Sequence, residues 1–369
     1  MLRIIYLCLF ALLFPASSGA TPVKESATPV KAHAAKAKVK PKKAAAKTTP
    51  ARKMAAHRSP APAPTNEAVP PPASAPITEA PPAPPPAAAR SSAPAPTSLQ
   101  AATAEDWCTA IGKRLGSVPP AVCRNLGLQA ATIVSGRGHA LMSRDIVPPT
   151  RKIAQAGKTP AQARRILLIG GIHGDELTSA SIVFRWLQWL GESDSEARQY
   201  HWRVIPVANP DGLLANPPQR VNSHGVDLNR NFPTPDWNSD AQAYWAKKTG
   251  RDPRRFPGQS AMSEAETRWL HDQIESFQPD VVVSVHAPFG ILDYDGPAHQ
   301  PRRFGHLDLN RLGIYPGSLG NYGGVGKNMP VITIELPSAT NMPPAKEQRE
   351  IWEDMLTWLR RNIASKTTS

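Results

Sequence analysis

The chain has 369 residues, a formal net charge of +14 and 41% hydrophobic residues, but these averages hide two different halves. Residues 21–104 carry twelve Lys or Arg against three Glu, so most of the positive excess sits there and the remainder of the chain is only mildly basic. No aromatic residues interleave with those lysines, which argues against base stacking and against a specific nucleic-acid partner.

The first element in chain order is "MLRIIYLCLFALLFPASSGA". Arg3 gives a short positive start, Ile4–Phe14 is an apolar run, and Ser18 and Ala20 occupy the small-residue positions of a signal-peptidase site. The run is well short of the roughly 20 residues needed to span a bilayer, so we expect residues 1–20 to be a cleaved signal peptide, a mature chain without a transmembrane anchor, and a periplasmic or secreted location. Cys8 lies inside the run and forms no lipobox. Residues 21–104, rich in Ala, Pro and Lys, cannot bury enough apolar surface to offset their ordering entropy, and are expected to be a disordered linker. A self-repelling spacer and a tether to an anionic cell-envelope polymer are both open for this basic tail. Residues 105–369 then form one domain of sizeable core.

Beyond the leader two cysteines remain, Cys108 and Cys123. An even count in an exported chain predicts a disulfide, with two buried free thiols as the alternative. "RRILLIGGIHG" predicts a buried strand over 166–169 closed by glycines, and "LTSASIVFRWLQWLGE" an amphipathic helix behind it. "WRVIPVANPDG" predicts a second strand with an Asn-Pro-Asp-Gly turn. Phe232–Met262 reads as a long loop, of a length that is functional or poorly ordered. Ser263-x-x-Glu266 has the pattern of a capping box opening a helix. Val281–Val285 and "MPVITIELPSA" are two further buried strands, and "EQREIWEDMLTWLRRNIA" is a terminal amphipathic helix. Apolar strands alternating with helices argue for an α/β sheet covered on both faces.

Three of these strands end in metal-type side chains: His173 and Glu176 past the first, His286 on the third, Glu335 on the fourth. Ligands collect at the carboxyl edge of such sheets, so the four would converge. Two His and one Glu, with water in the fourth position, are an established zinc set, and H-x-x-E alone is weak evidence. Zinc polarises a carbonyl and lowers the pKa of bound water to near 7, but a base must still take the proton. Glu335 in "ITIEL" is the candidate, because an unpaired carboxylate in an apolar strand is costly; a structural ion pair is the plainer reading. There is no H-E-x-x-H helix motif. "RVNSHGVDLNRNFP" crowds Arg220, Asn222, Asp227, Asn229, Arg230 and Asn231 together, which suits one arginine for an oxyanion and another for a substrate carboxylate, or a solvated, capped loop.

In order and spacing, "HGDE", "RVNSHGVDLNRNFP", His286 and "ITIEL" resemble the carboxypeptidase A-type zinc carboxypeptidase family over roughly Leu128–Leu359. The resemblance implies a twisted mixed sheet of about eight strands with helices on both faces. It implies that His173, Glu176 and His286 hold one zinc ion, that Glu335 is the general base, and that Arg220 stabilises the oxyanion. Asn229 and Arg230 would grip the terminal carboxylate. Tyr315 is the nearer match in spacing to the family's mobile tyrosine, Tyr322 the farther. The position that sets side-chain preference in the digestive enzymes falls near Gly320, which indicates no preference.

"HAPFGILDYDGP" and "YPGSLGNYGGVGKNMPVITIELP" are most similar to the bacterial murein peptide amidase branch. That implies hydrolysis of the γ-D-Glu–meso-diaminopimelate bond of peptidoglycan peptides, with Asp293 and Asp295 meeting the distal ammonium, or else serving only to stabilise a turn. An ordinary C-terminal carboxypeptidase, an aspartoacylase-type N-acyl amino acid deacylase, and an inactive cell-wall-binding module are the alternatives. The closing "ITIELPS" and the Arg220–Arg230 interval fit the carboxypeptidases better than the deacylases, and the complete ligand and base set argues against an inactive module.

Overall fold

The structure, a computed structural model, describes residues 104–149, 163–192, 196–297 and 299–363. The expected signal peptide, and the expected linker apart from Ala104, lie outside the described residues. In chain order the elements are α1 (Ala104–Arg114), α2 (Pro120–Asn125), β1 (Gln129–Val134), β2 (Ala140–Ile146), β3 (Arg165–Ile169), α3 (Leu177–Gly191), β4 (His201–Ile205) and α4 (Pro210–Leu214). There follow α5 (Trp237–Lys248), α6 (Ala265–Phe277), β5 (Val281–His286), β6 (Ile291–Asp295), β7 (Arg303–Phe304), β8 (Leu307–Asp308), β9 (Val331–Glu335) and α7 (Ala345–Asn362).

The main sheet has seven strands in the order β1-β2-β4-β3-β5-β9-β6, one fewer than the resemblance implies; β7 and β8 pair separately. Its centre, β4-β3-β5-β9, is parallel, and the antiparallel strands β2 and β6 flank it. This is the expected mixed α/β sheet. Alternation along each central strand feeds two cores. Leu168, Val204, Val283 and Ile334 pack with Trp186 of α3 and Trp352 and Met355 of α7 on one face. Leu167, Ile205, Val282 and Val331 pack with Trp269, Leu270 and Ile274 of α6 on the other. Burial on both faces is why these strands read as unbroken apolar runs. Among the described residues, no helix is long and apolar enough to cross a membrane.

Two sequence expectations need correction. The segment Phe232–Met262 is not a bare loop, because it contains α5. That helix buries only Trp237 and Ala241, so its pattern carries little 3.6-residue periodicity. Ser263 does not cap α6. The N-cap position belongs to Glu264, and Ser263 Oγ donates to the Glu264 carboxylate at 2.6 Å. Glu266, expected to bond back to the cap, is buried and takes a bond from Asn222 Nδ2 at 3.2 Å instead.

Cys108 in α1 and Cys123 in α2 form a disulfide with Cα atoms 5.6 Å apart. It staples the two helices into a hairpin whose Trp107, Ile111 and Leu115 pack with Met142, Phe184 and Leu213. Closing a loop of this size contributes about 3 kcal/mol in the chain-entropy account. The double variant Cys108→Ser/Cys123→Ser is therefore expected to melt about 6–12 °C lower by calorimetry. An unchanged melting temperature would mean that the hairpin is held by its apolar contacts alone.

Candidate metal centre and substrate cavity

Parallel strands carry the key side chains to one edge. His173 and Glu176 follow β3 within one turn of chain, His286 is the last residue of β5, and Glu335 is the last of β9 and its register partner. Between His173 and Glu176, Gly174 packs directly on the backbone of α4: a Cβ there would lie 2.1 Å from the Gly212 carbonyl carbon. A side chain at this position would push the loop off α4 and separate the pair. Glu176 stands at the N-cap of α3, yet its carboxylate makes no capping bond and turns to the histidines.

Among the described residues one group of three metal-type side chains is close enough to share an ion: His173, Glu176 and His286, whose ligand atoms lie within 4.8 Å of one another. His173 Nδ1 is 2.8 Å from Glu176 Oε1, and His286 Nδ1 is 3.1 Å from Glu176 Oε2 and 3.1 Å from His173 Nδ1. Two imidazoles aiming the same nitrogen at each other across a carboxylate suit a shared cation better than a proton-mediated contact. The outer nitrogens are occupied, His173 Nε2 by Asp227 Oδ1 at 3.2 Å and His286 Nε2 by Ser284 Oγ at 2.9 Å. Such outer partners orient metal-binding imidazoles. The donor set of two nitrogens and one carboxylate fits zinc. Burial opposes the charge on Glu176, but the facing imidazoles, His173 foremost, hold its carboxyl below the usual range.

Asp227 is the residue whose part the sequence did not disclose; there it reads as a cap. It is fully buried, and besides His173 it accepts from Arg220 Nε at 3.0 Å and from the Asn229 backbone N–H at 3.0 Å. Burial works against this carboxylate, while Arg220 and His173 hold it well below its ordinary range. Arg220 also reaches Glu176 Oε1 at 3.3 Å. Asn229 Oδ1 accepts from the Leu319 N–H at 2.8 Å, which leaves its amide nitrogen available. The Arg230 guanidinium lies over the Tyr315 ring, 4.5 Å from its centroid.

The two histidines, Glu176, Arg220, Asn229 and Arg230 border a cavity of about 390 Å³ that also takes in Glu335, Asp293, Asp295 and Tyr315. Glu335 is 5% exposed, and among the described residues its Oε2 has no hydrogen-bond partner. Burial, opposed by His286, pushes its carboxyl up to about 7. Tyr315 donates its hydroxyl to the Leu312 carbonyl at 2.5 Å. Tyr322 is elsewhere, stacked on Phe232 in the α6-side core with its hydroxyl on Glu275. Gly320 is informative after all. A Cβ there would meet Asp295 Oδ2 at 1.9 Å, so the missing side chain makes room for the Asp295 carboxylate. Burial foremost, and the neighbouring Asp293 second, raise Asp295 to about 6.

The zinc carboxypeptidase family profile matches residues 131–292. Murein peptide amidase A of Escherichia coli strain K12 is 31% identical over 209 residues, spanning 54% of this chain and 82% of that protein. The chain belongs to the zinc carboxypeptidase family. Murein peptide amidase A of Vibrio campbellii is 33% identical over 190 residues, 48% of this chain and 73% of that protein. A solved structure of murein-tripeptide amidase MpaA from Escherichia coli O157 is 25% identical, covers 64% of this chain and 91% of its own, and superposes with a TM-score of 0.40. The carboxypeptidase family is zinc-dependent and hydrolytic, and this chain is a hydrolase of that kind.

If Asp227 fixes the orientation of the His173 imidazole, Asp227→Asn weakens zinc binding about 10–100-fold. Competition with a chromophoric chelator measures this directly, and an unaltered affinity would remove Asp227 from the account of the metal centre.

Proposed function

We propose that the chain is a murein peptide amidase that releases meso-diaminopimelate from peptidoglycan peptides by cutting its bond to γ-linked D-glutamate. The observation that carries this reading is the charge content of the cavity, which is lined by Arg220, Asn229 and Arg230 and also by the acid pair Asp293 and Asp295. A C-terminal residue with a carboxylate near the scissile bond and an ammonium at the far end of its side chain matches both. Among the described residues none donates a hydrogen bond to Asp295, so a half-buried carboxylate there gains from an incoming ammonium. The names of the relatives point to the same substrate class. The disulfide and the apolar leader support an exported location beside the cell wall.

In this reading His173, Glu176 and His286 hold the zinc ion. When bound, zinc supplies a Lewis acid for the scissile carbonyl and acidifies water. Asn229 and Arg230 grip the terminal carboxylate, and the Tyr315 ring supports the Arg230 guanidinium. Arg220 presents charge to the developing oxyanion. Glu335 takes a proton from the attacking water and returns it to the leaving nitrogen, so a C–O bond forms as the C–N bond breaks. Its elevated pKa suits a group that must both accept and give.

Purified enzyme with zinc is expected to release diaminopimelate from L-Ala-γ-D-Glu-meso-diaminopimelate, read by mass spectrometry. Glu335→Gln is expected to lose turnover by at least about a hundredfold while binding zinc normally. Cleavage of ordinary α-linked C-terminal residues with none of the tripeptide would overturn the amidase reading.

The acid pair makes a separate pH prediction. Asp295 is charged above about 6 and neutral below it. The kcat/KM ratio of the diaminopimelate peptide to a matched peptide ending in leucine should therefore fall as pH drops through that value, because the attraction is lost only for the ammonium-bearing substrate. In Asp295→Asn the ratio should be low and flat with pH.

A further inference from the structure

The proposed reaction leaves one side of the cavity without a task. Arg254 and Arg255 line it together with Asp175, the residue that precedes Glu176. They sit on a single 3-10 turn, Pro253–Arg255, capped by Asp252. The turn is held firmly at both ends. Trp245 Nε1 donates to the Asp252 carbonyl at 2.8 Å, and the Trp245 and Phe256 rings pack 4.9 Å apart. The Phe256 carbonyl accepts the Asp227 N–H at 2.8 Å, which ties the turn to the buried carboxylate behind the metal centre. Arg254 Nη2 meets Asp175 Oδ2 at 2.7 Å, and Arg255 Nε meets Asp252 at a looser 3.5 Å. Both side chains stay about half exposed, at 57% and 46%, so neither ion pair encloses them at the cavity they line.

The substrate chemistry supplies a partner. In a γ-linked glutamyl residue the α-carboxyl is not consumed by the chain. It remains as a free carboxylate four bonds from the scissile carbonyl, a span of about 5 Å when extended. An α-linked residue has no negative charge fixed at that point. Arg230 and Asn229 are committed to the terminal carboxylate, and Arg220 to the oxyanion. Two carboxylates are then left over, the glutamyl α-carboxylate and the distal carboxylate of diaminopimelate; the second shares its carbon with the ammonium assigned to the acid pair, so the first is the one free for arginine's planar fork.

We propose that Arg254 and Arg255 form a carboxylate-reading subsite on the acyl side of the scissile bond, which takes the free α-carboxylate of the γ-linked D-glutamyl residue. The proposal rests on the amidase reading above. It makes the enzyme select the γ-linkage through charge on the acyl side, independently of how the departing residue is recognised.

The test compares two tripeptides that differ in one group: L-Ala-γ-D-Glu-meso-diaminopimelate, and the same peptide with the D-glutamyl α-carboxylate converted to carboxamide. Wild-type enzyme is expected to favour the acid about 10–100-fold in kcat/KM, with the preference shrinking at high salt. Arg254→Gln/Arg255→Gln is expected to lose most of that factor on the acid and no more than about threefold on the amide, so the two converge. Equal wild-type turnover of acid and amide overturns the subsite and leaves the amidase reading standing. An equal loss on both peptides in the double variant overturns it as well, since the arginines would then act through the structure alone. Release from neither peptide defeats the amidase reading and this proposal together.

Discussion

The Asp227 carboxylate is the point on which the site depends. It is wholly enclosed, and a bare carboxylate in that position would be driven to protonate. It stays charged because Arg220 and His173 share it and the Asn229 N–H caps it. The cost of burying that charge is offset only when all three donors are in place. The same bonds set the ring plane of His173, aim Arg220 at the cavity, and start the turn that presents Asn229 and Arg230. The candidate metal ligands and the Arg220–Arg230 segment thus meet at one buried ion pair. The Phe256 carbonyl, which takes the Asp227 backbone N–H, extends that linkage to the arginine-bearing turn on the rim.

The sheet explains why residues so far apart in sequence arrive together. Parallel pairing of β3, β5 and β9 brings three strand ends to one edge, and register sets His286 beside Glu335. Both faces of these strands are sealed by helices, so their ends cannot shift without repacking two cores. The histidines and glutamates inherit that rigidity. By contrast the acid pair lies on β6, the antiparallel edge strand, against the glycine-rich π-helical turn Gly320–Gly326. The acid pair is therefore carried on a more open element than the candidate metal ligands and Glu335 are.

What could be read from the chain follows from how each signal is encoded. β3, β5 and β9 are buried on both faces, and that burial writes itself as apolar runs. β1, β2 and β6 leave one face wet or lie at an edge, and their mixed patterns do not stand out. α5 escaped for the same reason. The Ser263-x-x-Glu266 pattern misled because Asn222, remote in sequence, binds Glu264 and Glu266 and removes them from local capping. The pairing of Gly320 with Asp295 could not be read at all. A glycine discloses nothing about which distant side chain fills the space it leaves, and only the turn after Leu319 shows that the space belongs to a carboxylate. Likewise Tyr315 and Tyr322 precede Glu335 by 20 and 13 residues, spacings that do not say where either ring goes, and packing sends one to the cavity and the other to the core.

Glu176 and Glu335 show most clearly how environment divides labour between identical groups. Each is almost entirely enclosed and each stands beside His286. Glu176 faces two imidazoles and an arginine and accepts the Ala287 N–H at 3.2 Å, so its negative charge is satisfied from every side. A group in that state is a permanent anion, suited to hold a cation and unsuited to carry protons. Glu335 has an oxygen with no partner among the described residues, and burial raises its proton affinity until it is near balance at neutral pH. A carboxylate left short of donors in this way costs stability unless something arrives to use it. The fold thus leaves one glutamate poorly satisfied at the cavity wall, which fits the role of proton carrier proposed for it.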